Sequence, residues 1–130
     1  VSAPCILMVE DDELDRFILR RALLKRWPRA RLIEAGDGLD AIAVLNALEG
    51  TPPDLIMLDI NMPRMGGLEF LEAYYADGGH AVPIVMMLTS SNREDDRHAA
   101  GRYPCVREYL IKPIDRSTVA ALPDPLDRAA

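Results

Sequence analysis

Four places in this chain carry groups able to do chemistry, and each lies one step past an apolar run. Glu10, Asp11 and Asp12 follow Ile6-Leu7-Met8-Val9, and Asp59 follows Leu55-Ile56-Met57-Leu58. Thr89 and Ser90 follow Ile84 to Leu88, and Lys112-Pro113 follows Tyr109-Leu110-Ile111. Gathered into one cleft, they would offer carboxylates, a hydroxyl and an ammonium. Converging carboxylates repel and raise one another's pKa. Lys112 supplies one compensating charge, and a divalent cation would supply two more. Oxygen ligands suit a hard ion such as Mg²⁺, which keeps several waters and takes few protein ligands. Asp59 then has a use as a carboxylate nucleophile toward phosphorus, forming an acyl phosphate. The cation and Lys112 would screen the phosphoryl oxygens during in-line attack.

Each residue also has an ordinary use. An Asp after a strand commonly forms a turn or caps a helix, and Asp12, furthest from its strand, is read as the cap of the helix containing Leu14. Lys-Pro is a common loop pair, and Thr89 to Ser91 could cap a helix. What favours chemistry is that all four places fall on one edge of the architecture the remaining residues predict.

That architecture comes from alternation. The apolar runs, together with Arg31 to Ala35, read as five strands. Four are almost wholly apolar, as parallel strands covered on both faces are; Arg31 to Ala35 is mixed and predicts an edge strand. Between them lie helical repeats: Leu14, Phe17, Ile18 and Ala22; Ile42, Leu45 and Leu48; Leu68, Leu71 and Tyr75. A weaker polar helix is expected in "SNREDDRHAAGRY" and a short last one from near Ser117. Strand–helix alternation implies right-handed crossovers and a doubly wound sheet, whose ligands sit beyond the carboxyl ends of the strands.

The chain has 130 residues, 49% of them hydrophobic, which suits one domain with a true core. Net charge of −6 argues against nonspecific binding to nucleic acid or an anionic membrane. Two cysteines in apolar surroundings, Cys5 and Cys105, make a disulfide framework or zinc site unexpected and fit a reducing cytoplasm. No apolar run approaches the ~20 residues of a membrane span. The basic residues are uneven: seven of fifteen lie between Arg16 and Arg31.

Together "ILMVEDD", "LIMLDINMPRMGGLEFL", "VMMLTSSN" and "YLIKP" resemble the receiver domain of two-component response regulators, in order and spacing over residues 4–116. The resemblance implies an α/β fold of the flavodoxin-like receiver kind, a five-stranded parallel sheet in the order 2-1-3-4-5; that order is the family's, carried over. It implies Asp59 as phospho-acceptor from a histidine kinase or phosphotransfer protein. It places Mg²⁺ on Asp11, on Glu10 through water, on Asp59 and on the backbone carbonyl of Asn61. Thr89 resembles the switch hydroxyl, Tyr109 the aromatic switch and Lys112 the phosphate-binding lysine, with a cis bond to Pro113. Such a protein is no turnover enzyme beyond its own phosphotransfer and dephosphorylation. "LTSSN" and "YPCV" look most like stand-alone receivers paired with phytochrome-type kinases. In such receivers the partner docks on the first helix and the loop after the fifth strand, where Arg16, Arg20 and Arg21 would steer an acidic surface.

Other readings compete. A carboxylate-nucleophile phosphatase of the haloacid-dehalogenase type wants an Asp where Asn61 stands. A flavodoxin-like FMN carrier wants a Ser/Thr/Gly-rich phosphate loop where this chain has "EDDEL". A degenerate receiver acting only as a binding module need not keep Asp59, Thr89 and Lys112. The end departs from the family. Residues 1–122 are expected to form the receiver and 123–130 a tail with no output domain. Pro123 cuts the last helix short, leaving Leu122 and Leu126 on an extended arm that could pair two copies across a two-fold axis.

Overall fold

The computed structural model describes residues 3–48, 50–76, 82–88 and 94–126. The elements alternate as β1 (Cys5–Val9), α1 (Glu13–Arg26), β2 (Arg31–Ala35), α2 (Gly38–Ala47), β3 (Leu55–Asp59), α3 (Gly67–Ala76), β4 (Ile84–Leu88), α4 (Glu94–Ala100), β5 (Val106–Ile111) and α5 (Arg116–Ala120). The strands are parallel in the order β2-β1-β3-β4-β5. The mixed strand β2 lies at an edge, as its composition predicts.

Successive strand side chains point to opposite faces, and two apolar layers follow. Leu7, Val9, Ile56 and Leu58 meet α2, α3 and α4 through Ala41, Phe70, Leu71, Tyr74 and Ala100. Ile6, Met8, Leu55 and Met57 meet α1 and α5 through Leu19, Ala22, Leu23 and Val119. The same alternation, followed to the end of β3 and one step past β1 and β5, places Asp59 after Met57, Glu10 after Met8 and Lys112 after Leu110 on the α1/α5 side. Strand register therefore aims the three charged groups at one another.

Three expectations are corrected. The apolar face of α1 does not run through Leu14 and Phe17, which are 66% and 53% exposed. The buried residues are Leu19, Ala22 and Leu23, at helical spacing from Asp15 and Arg26. Two inward positions of this helix are charged, so its apolar residues alone mark the wrong stripe. Strand β5 begins at Val106 rather than Tyr109, because Arg107 and Glu108 interrupt the apolar signal while the backbone still pairs with β4. Finally, Leu122 is not on an uncovered arm. It is 5% exposed and belongs to the α1/α5 layer of its own chain.

The short α5 is finished by another element. Its N-cap is Asp115, whose carboxylate accepts from the Thr118 N–H at 3.0 Å. At its far end the Arg26 guanidinium donates to the Val119 carbonyl at 2.6 Å and to the Leu122 carbonyl. The cation thus adds to the backbone bond that the Val119 carbonyl already accepts from the Leu122 N–H, at the end where the helix dipole favours positive charge.

Candidate functional site

Glu10, Asp11 and Asp59 each bring a carboxylate oxygen within 4.8 Å of the others. Asp59, at the end of β3, is 1% exposed. Glu10 is also buried; one of its oxygens accepts from the Asp12 N–H at 3.1 Å and the other lies 2.5 Å from Lys112 Nζ. Asp11 is exposed beside them. Asp12 caps α1 as expected, its Oδ1 accepting from the Asp15 N–H at 2.9 Å. Lys112 comes from the end of β5, and its bond to Pro113 is cis, as the family resemblance implies.

Lys112 faces three carboxylates. Besides Glu10, Nζ lies 3.2 Å from Asp59 Oδ1 and 3.2 Å from Asp15 Oδ2. The approach to Asp59 is an ion-pair contact without hydrogen-bond alignment, and Asp59 Oδ1 is buried with no hydrogen bond. Burial pushes the Glu10 carboxyl up to about 7; the Lys112 hydrogen bond opposes this and the Asp59 charge adds to it. Burial likewise raises Asp59 above its ordinary value, against the pull of the Lys112 charge and of the Asn61 backbone N–H. Burial alone would lower Lys112, but its bond to Glu10 and the charge of Asp59 more than offset that and raise it. One ammonium therefore does not neutralise this cluster. An under-bonded buried oxygen, raised carboxylates and hard oxygen donors are what a divalent cation fits.

The loop after β3 is shaped by glycine. A Cβ on Gly67 would lie 2.5 Å from the Asp59 carbonyl oxygen and 2.9 Å from Ile60 Cα; one on Gly66 would lie 2.9 Å from the Ile60 carbonyl oxygen. The Gly67 N–H donates to that Ile60 carbonyl at 3.0 Å. Only residues without side chains let α3 start so close to the Asp59 backbone. Asn61, in this loop, is exposed.

The structure thus brings together Glu10, Asp11, Asp59 and Lys112. Thr89 lies outside the described residues. Tyr109 stands on the opposite face of the sheet, half-buried, with its hydroxyl donating to the Arg97 carbonyl at 3.4 Å and the Arg97 guanidinium 5.5 Å from its ring centre. Of the arginines expected to dock a partner, Arg20 pairs with Glu34 of β2, Arg16 approaches the same carboxylate at 3.9 Å, and Arg21 lies over the Phe17 ring at 5.6 Å. Asp15 is a site residue that sequence reasoning missed. The signal was its spacing, four residues before inward-facing Leu19.

A family model for the response regulator receiver domain matches residues 6–122, and the chain belongs to that family. The Regulator of RpoS from Escherichia coli strain K12 is 35% identical over 112 residues, which are 84% of this chain and 30% of that protein. The chain therefore spans about a third of that relative's length. Among solved structures, the phosphorylated cyanobacterial phytochrome response regulator RcpA superposes with TM-score 0.75 at 28% identity, over 91% of this chain and 86% of that one. The Mn²⁺-bound form of response regulator Rcp1 does so with TM-score 0.72 at 31% identity, over 90% and 87%.

Proposed function

We propose that the protein is a phosphorylation-controlled response regulator whose Asp59 accepts a phosphoryl group from a phosphohistidine. The observation that carries this reading is the buried, under-bonded Asp59 oxygen between two further carboxylates and Lys112. Asp11 and Asp59 would hold Mg²⁺ directly, with Glu10 acting through water and Asn61 through its carbonyl. When bound, the cation supplies charge that keeps Asp59 ionised and offsets the phosphoryl oxygens. Asp59 attacks phosphorus, forming an O–P bond as the N–P bond of the donor breaks. The departing imidazole keeps the electron pair of that bond and takes up a proton. Lys112 pairs with a phosphoryl oxygen, and Thr89 and Tyr109 carry the change outward. The protein turns over nothing else; Asn61 stands where a dehalogenase-type phosphatase needs an acid.

The donor is read as a histidine kinase of the phytochrome kind, supported by the likeness to RcpA. Its docking face would be α1 and the loop after β5. There a groove of about 360 Å³ is lined by Phe17, Ile18, Arg21, Lys25, Asp115 and Arg116. Exposed Leu14 and Phe17 supply apolar contact, and Arg21 the charge.

The test is mass spectrometry after treatment with acetyl phosphate and Mg²⁺. One phosphoryl increment is expected, lost with chelator and lost in Asp59→Asn. An increment of unchanged yield in Asp59→Asn would overturn the assignment.

A further inference from the structure

Buried Asp37 has no part in the chemistry above. It is 3% exposed and caps α2, its Oδ1 accepting from the Asp40 N–H at 3.0 Å. It is also gripped from outside its own element. Arg64, in the loop between β3 and α3, donates from Nε to Asp37 Oδ2 at 2.6 Å and from Nη2 to Asp37 Oδ1 at 3.0 Å; Nη2 also reaches Asp40 Oδ1 at 2.9 Å. The backbone of Arg64 is left-handed, with φ 60°, which is unfavourable for a residue bearing a Cβ and persists where surroundings impose it. The next residue is fastened too. The Met65 carbonyl accepts from the Gly38 N–H at 2.9 Å, and a Cβ on Gly38 would lie 2.6 Å from Met65 Cγ.

An exposed ion pair alone contributes little. This one differs on three counts: its carboxylate is buried, its geometry is bidentate, and it coincides with an unfavourable φ and a close backbone approach. The segment so held carries Asn61 and leads directly from Asp59. Its other end is tied by the Gly67 N–H bond to the Ile60 carbonyl.

We propose that Arg64 and Asp37 form a clamp between the β3–α3 loop and the start of α2 that presets this loop for the cation. Both are positioning residues, acting through the backbone of residues 60 to 62. The proposal rests on the reading of the Glu10, Asp11 and Asp59 cluster as a cation site. It makes α2, which contributes no side chain to the cluster, part of the site's framework.

The experiment uses the full chain with Arg64→Ala, Asp37→Asn, their combination, and Arg64→Lys. Asn can still cap α2, so Asp37→Asn removes the charge and spares the helix start. Calorimetric titration with Mg²⁺ alone reads affinity. Amide hydrogen exchange of Gly38 and Gly67, followed by NMR in chelator, reads the loop without metal. Each single variant should weaken Mg²⁺ binding about tenfold, the lower end of what removing a support behind a metal ligand costs. The combination should be no weaker than Arg64→Ala alone, since that variant already removes the Arg64–Asp37 interaction. Arg64→Lys, with one charged donor left, should fall between. Exchange at Gly38 and Gly67 should quicken wherever affinity falls. If Mg²⁺ binds the parent and all variants alike, the clamp is wrong even if the variants melt earlier, since a merely structural role predicts that. If exchange quickens but the parent itself takes no Mg²⁺, the cation reading fails and the proposal falls with it.

Discussion

Glu10 and Asp59 show how a buried site makes stability depend on pH. Both carboxyls titrate above their ordinary range, Glu10 at about 7. Between the ordinary carboxylate range and that value, the folded chain holds protons that the unfolded chain has released. Stability then falls as pH rises across the window. In chelator, the thermal midpoint should be lower at pH 8 than at pH 5. Asp59→Asn should flatten the slope, because Glu10 can then ionise beside Lys112 without a second buried charge. Adding Mg²⁺ at pH 8 should raise the parent's midpoint by mass action and the variant's much less. A metal-free parent more stable at pH 8 than at pH 5 would contradict this account of the site.

At the scale of elements, α1 connects the site to the far end of the domain. Its inward stripe starts with Asp15 at Lys112, runs through Leu19, Ala22 and Leu23, and ends with Arg26 at the carbonyls closing α5. Charged-donor hydrogen bonds contribute about 1.5–3 kcal/mol each where their loss strands an acceptor. The Val119 carbonyl keeps its backbone bond from the Leu122 N–H, so Arg26→Ala should destabilise by about 1–3 kcal/mol. Urea unfolding followed by Trp27 fluorescence reads it, and an unchanged midpoint would show that α5 ends without this cap. The start of α3 is the second such joint. Gly67→Ala forces a Cβ against the Asp59 carbonyl oxygen, so the helix and Asp59 must separate. A shift of ~1 Å can cost on the order of a hundredfold in rate. Acetyl phosphate labelling of Asp59 should slow at least tenfold, with helix content unchanged by circular dichroism.

Over the whole molecule, the consequential residue is Leu122. Inside its own chain's core it leaves the C-terminal segment, up to Leu126, with much less apolar surface to offer a second copy. Leu122→Ala should cost about 2–5 kcal/mol, as other large-to-small core changes do. A chain ending at Ala121 should be destabilised similarly, while light scattering at equal micromolar concentration reports the same mass as the full chain. A drop in mass on truncation, with stability kept, would restore the arm as a pairing device. Among the described residues, no helix is long and apolar enough to cross a membrane.

The residues themselves determined the alternation of elements, the covered parallel sheet with β2 at its edge, and the gathering of Glu10, Asp11, Asp59 and Lys112 at one sheet edge. Those follow from periods of two and 3.6 and from the rule that strands end together, which local sequence encodes. The strand order was legible only through family resemblance. Tertiary structure alone decided which side of α1 faces inward, because Asp15 and Arg26 are half-buried against partners that lie 97 and 93 residues away, Lys112 and the Val119 carbonyl. It also decided that Leu122 is core and that Arg64 meets Asp37 across 27 residues. A charged side chain reads as solvated until its counter-charge is located, and the counter-charges here are brought by strand register and helix packing, which no local window contains.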